Sequence, residues 1–183
     1  MLNKKLTLDK AKIQFFYNTY NITGLEKQYV EEEKRNIEKY INMGDLQPAF
    51  VYSLEPLIIA CFTDEFDDVI LLQYPKEYIE KYNLKENDKL VTSNVYWEKR
   101  KTPYNDIVPG VFGSKRFKDI YPMVLKFLVT EEDKLEEYIN EFSNYTWEFF
   151  KNKTYGRVIL SQLPPRDGMF YLFQGGKRWI KKY

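Results

Sequence analysis

The sequence predicts an α+β fold, a mixed or mostly antiparallel β-sheet with helices packed on it. Three observations carry this expectation. The first 44 residues place apolar side chains at helical spacing between capping residues. Residues 57–75, LIIACFTDEFDDVILLQYP, set two apolar runs of strand length around an acidic turn. The end of the chain, MFYLFQGGKRWIKKY, reads as a C-terminal β-hairpin, because Gly175 and Gly176 tolerate the positive φ of a two-residue turn. At 183 residues the chain suits one domain, with N-terminal helices over 1–44 and a sheet with packed helices over 45–183.

The elements follow in order. Thr7 is placed to cap a first helix, LDKAKIQFFYNTY, and Thr23 a second that stops at Gly44. Glu31, Glu32, Glu33 and Lys34 then form its wet face. AFVYSL, PLIIACF and VILLQYP read as strands. The last two do not alternate cleanly, which predicts burial on both faces. Pro75 opens a short helix, and DKLVTSNVYWE is a further strand. Residues 98–118 read as a long loop punctuated by Pro103, Pro109, Gly110 and Gly113. DIYPMVLKFL is expected to be a helix with Pro122 in its first turn. Residues 130–152 are expected to form one long helix, opened by a box-like Thr130 and Asp133 and burying a stripe that includes Leu135, Tyr138, Ile139, Phe142, Tyr145, Trp147 and Phe149. YGRVILSQL is expected to be a strand, and LPPRDG a turn before the hairpin, in which turn chemistry accounts for Arg166.

Residues 73–93 hold a strand, a proline-led helix, a leucine, an aspartate and a strand. This order resembles AbrB-type DNA-binding domains, with Asn87 where that family has glycine before the aspartate, Asp88. A plain strand–helix–strand unit explains the same pattern.

Composition narrows the chemistry. The chain has no histidine and a single cysteine. Ser–His and Cys–His nucleophile pairs, histidine-held zinc and thiolate metal cages are therefore excluded within it. Cys61 cannot form an internal disulfide and reads as a small buried hydrophobe. The basic start lacks an apolar core of signal-peptide length, and no run approaches a membrane span. A cytoplasmic protein without membrane association is expected. Aromatic residues make up 17% of the chain, so the core should be built from rings as much as from aliphatics.

Three constellations remain. Asp64, Glu65, Asp67 and Asp68 lie between strands, where acidic residues are ordinary turn formers. The spacing fails the EF-hand pattern, so a wet turn is expected, with no metal and no cofactor. Asp68 before VILLQ and Glu98 after LVTSNVYW loosely resemble metal-dependent nucleases of the PD-(D/E)xK type, but the motif proline is missing and Arg100 replaces lysine. In the 98–118 loop, Arg100, Lys101 and Arg116 share a segment with Tyr104, Phe112 and Phe117, beside Trp97. Cations interleaved with rings suit single-stranded nucleic acid or a protein interface. The net charge of +1 is small, but residues 1–90 carry 12 basic against 16 acidic side chains and the remainder 16 against 11, an asymmetry suited to a protein partner.

The expectation is a non-enzymatic protein-binding domain, by compositional analogy an immunity- or antitoxin-type neutraliser of bacterial kind. Its expected binding residues are Trp97, Arg100, Lys101, Tyr104, Arg116, Asp64, Glu65, Asp67 and Asp68, with no catalytic residue assigned. The alternatives are a carboxylate nuclease using Asp68 and Glu98, or a nucleic-acid-binding module using the 98–118 loop.

Overall fold

A computed structural model describes residues 5–24, 27–98 and 105–168. Helices α1 (Lys10–Thr19) and α2 (Lys27–Met43) lead into strands β1 (Asp45–Leu54), β2 (Leu57–Thr63) and β3 (Asp68–Gln73). Helix α3 (Glu77–Tyr82), β4 (Lys89–Trp97) and β5 (Asp119–Val124) follow, then a 3-10 turn at Leu125–Phe127. The described chain ends with α4 (Glu132–Glu141), α5 (Asn144–Ser161) and the short β6 (Arg166–Asp167).

The described strands form one six-stranded sheet in the order β5-β4-β1-β2-β3-β6. Every pairing is antiparallel except β3 with β6. The fold is therefore α+β with a mixed sheet, as expected. The apolar runs of β2 and β3 are buried on both faces. Phe50, Ala60 and Val69 face α1, α2, α4 and α5. Their neighbours Val51, Ile59, Cys61 and Ile70 face a second core containing Tyr74, Tyr78, Ile107 and Phe127. Ring contacts knit that core, including Tyr78 against Phe127 with centroids 5.0 Å apart. Cys61 is fully buried, and burial pushes its thiol well above the ordinary range.

Several elements differ from the sequence expectation. Residues 119–124 are a strand, not a helix, and all six are buried. Pro122 sits opposite Asn94 of β4 on the outermost strand, where a residue without an N–H is tolerated. Thr130 and Asp133 form no capping box: Glu131 occupies the cap, and its carboxylate accepts from the Thr7 backbone N–H at 2.9 Å. The expected long helix is two helices. Phe142 is extended, and Ser143 caps α5 by accepting from the Thr146 N–H at 3.1 Å. The break splits the stripe. Leu135, Tyr138, Ile139 and Trp147 are buried, Phe142 is half-buried, and Tyr145 and Phe149 are exposed. Residues 155–161 continue α5 rather than forming a strand. At the start of the chain Asp9, not Thr7, caps α1, accepting from Ala11 and Lys12. The stop of α2 before Gly44 is as expected, while its start adjoins residues outside the described set. The expected hairpin of residues 169–183 lies outside the described residues.

Candidate functional site

The acidic turn between β2 and β3 is the anchor of a larger structure rather than a wet turn. Asp64 is exposed, Glu65 and Asp67 are half-buried and Asp68 is buried; the Asp64 carboxylate caps its own turn at the Glu65 N–H, 2.8 Å away, and accepts from the Tyr96 hydroxyl at 3.3 Å. Asp67 takes a positive φ of 47° and turns its carboxylate toward α5 and the loop. Its Oδ1 accepts from Lys153 Nζ at 2.6 Å, and its Oδ2 from the Phe112 N–H at 3.3 Å. Asp68 is 5% exposed. Its Oδ2 accepts from the Val108 N–H at 2.8 Å, and its Oδ1 lies 3.8 Å from Arg157 Nε. Desolvation raises the Asp68 carboxyl above its ordinary pKa, outweighing the hydrogen bonds and the two cations that lower it. The turn looked wet in sequence because the partners of Asp67 and Asp68 are remote, Lys153 being 86 residues away.

The loop beyond residue 104 is tied to that turn along its length. Gly110 N–H donates to Phe66 O at 2.9 Å, and Ser114 N–H to Glu65 O at 2.5 Å. A Cβ on Gly113 would lie 2.5 Å from Phe66 O, and one on Gly110 would overlap the Asp67 carboxylate. Both positions require glycine for this close approach. Arg166 secures the loop's beginning with a fork onto Asp106, Nε to Oδ2 at 2.7 Å and Nη2 to Oδ1 at 2.6 Å. Its Nη1 reaches Ile120 O at 2.5 Å, and the Arg157 guanidinium donates to Asp106 O. Arg166 is thus a buried fastener joining β6, β5 and the loop, a role that turn chemistry did not suggest.

What this framework holds up is apolar. Val111 is 92% exposed and Phe112 89%. The exposed side of α5 carries further apolar residues, Tyr145, Phe149, Ile159 and Leu160. Lys153 lies over the Phe149 ring at 5.4 Å, and Tyr145 stacks on Phe149 with centroids 6.4 Å apart. Between loop and helix lies an open cleft of about 510 Å³, walled by residues including Val108, Pro109, Gly156, Arg157, Leu160 and Leu163.

The other expected residues sit at the loop's far end. Trp97 is half-buried against Tyr40, and its carbonyl accepts from the Lys118 N–H at 2.8 Å. Arg116 pairs with Glu98 at 2.6 Å, both largely exposed. Asp68 and Glu98, the acids of the nuclease alternative, thus have separate cationic partners. Arg100, Lys101 and Tyr104 lie outside the described residues. Among the described residues, no group of three or more His, Cys, Asp or Glu side chains is placed to hold a metal ion. No described helix is long and apolar enough to cross a membrane. The sequence reading missed Asp106, Lys153, Arg157, Arg166 and Leu160. The available signal was Gly110-Val111-Phe112-Gly113, two apolar residues held between glycines.

No protein-family model matches the chain, and comparison with curated proteins and with solved structures gives no match.

Proposed function

We propose that this chain is a protein-binding domain, of the immunity or antitoxin kind in which a small protein docks on and neutralises another. Its docking face is the Val111–Phe112 tip together with the exposed side of α5. One observation carries this reading: an apolar tip stands almost fully in solvent while the backbone beneath it is held by four hydrogen bonds onto the acidic turn, from Val108, Gly110, Phe112 and Ser114. A large aromatic held out on a fixed backbone loses little conformational freedom on binding. On α5 the stacked, exposed rings of Tyr145 and Phe149 add apolar surface of the kind that marks an interaction site. Exposed Lys115 flanks the tip beside the Arg116–Glu98 pair, which favours a partner with an acidic rim. The test is site-specific photo-crosslinking in the native host. A photoreactive phenylalanine at position 112 should give one discrete protein adduct, while the same group at the exposed Glu86 should not. Absence of an adduct at 112 overturns the reading.

A further inference from the structure

Resting on the docking face just proposed, we infer that the cleft behind the tip receives an uncharged apolar residue of the partner. Three features of the cleft point to this occupant. Its walls are largely aliphatic, from Val108, Pro109, Leu160 and Leu163, which favours an apolar side chain.

The charges in its wall already cancel. Lys153 is matched by Asp67 and Arg157 by Asp68, so a charged guest would leave an uncompensated charge in a partly dry site.

The third feature is Gly156. It lies within α5, where glycine is the least favourable residue after proline. A Cβ there would meet no atom within 4 Å, so no close packing demands glycine. What glycine leaves open is cleft volume, because this position forms part of the wall.

The experiment titrates N-acetyl-L-leucinamide, a neutral leucine with peptide carbonyls on both sides, into the isotopically labelled full chain and follows it by NMR. Saturable shifts are expected at the Gly110 and Gly156 amides and at Arg157 Nε, with a Kd on the order of 1 mM for so small a probe. N-acetyl-L-leucine, which carries a carboxylate, should bind more weakly. Gly156→Leu should fill the cleft, weaken the probe at least about tenfold, and leave the melting temperature equal or higher, since leucine is the better helix former. Lack of saturable shifts, undiminished affinity in Gly156→Leu, or tighter binding of the carboxylate overturns the inference. Position-112 crosslinking separates the two readings. An adduct that forms equally in Gly156→Leu sustains the docking face and overturns insertion into the cleft. Probe binding without any adduct in the wild type overturns the docking face and, with it, the assignment of the cleft to a partner's residue.

Discussion

Lys153 Nζ and Asp67 Oδ1 lie 2.6 Å apart, and this pair connects the last helix to the acidic turn and, through the Phe112 N–H on the same carboxylate, to the apolar tip. Both side chains are largely buried, so the pair lies between the exposed and the fully buried regime. Lys153→Met should lower stability by about 1–3 kcal/mol in urea titrations. Hydrogen exchange should show the larger effect at the Gly110 and Phe112 amides and little at β1 or β2. Uniform loss of protection would mean that the pair serves the whole fold rather than the loop.

Asp68 sets a pH dependence whose sign follows from its raised pKa. The folded state holds its proton more tightly than the unfolded chain, so Asp68 subtracts stability as pH rises through and above its ordinary value near 3.8. Asp68→Asn removes this titration. The stability of the variant minus that of the wild type should therefore increase with pH, beginning near pH 4, as measured by urea unfolding at a series of pH values. A difference that falls with pH would contradict the desolvated setting of Asp68.

Arg166 holds Asp106 by a two-pronged contact in a site where its own side chain is 8% exposed. Arg166→Met should cost about 3–5 kcal/mol, because buried carboxylates lose their cation. Arg166→Lys should restore only part of the loss, since an ammonium cannot reproduce the planar fork. Full rescue by lysine in thermal melts would show that charge alone matters there.

The rings around the helix break should differ sharply in stability. Phe150 is fully buried and meets Phe50 at 5.0 Å and Phe62 at 5.6 Å between centroids. Phe150→Ala should cost about 3–5 kcal/mol. Tyr145→Ala, on the exposed side of the same helix, should stay within about 0.5 kcal/mol. Chemical denaturation of the two variants compares them directly, and equal losses would place Tyr145 in the core.

The legible parts of this fold were those with strong local signals. The paired runs of β2 and β3 announce themselves through continuous β-branched and aliphatic residues, and α2 through its one-sided periodicity and terminal Gly44. What failed to show was decided by distant contacts. Val158, Ile159 and Leu160 have strand-like or neutral composition, yet they prolong a helix already fixed upstream by the buried Trp147, Phe150 and Thr154. The candidate site was legible in half. Asp67 and Asp68 stood out as acids, but Lys153, Arg157 and Asp106 are single charges in a charge-rich chain, and only the fold brings them together.

The burial of β5 carries a consequence for how the molecule behaves among its own copies. An open outermost strand would be a ready template for a strand from another chain. All six residues of β5 are buried, so this edge is already covered within the molecule and a visiting strand would first have to unpack it. Pro122, which makes this strand resemble a helix start in sequence, offers no N–H and would weaken any ladder that formed after such unpacking.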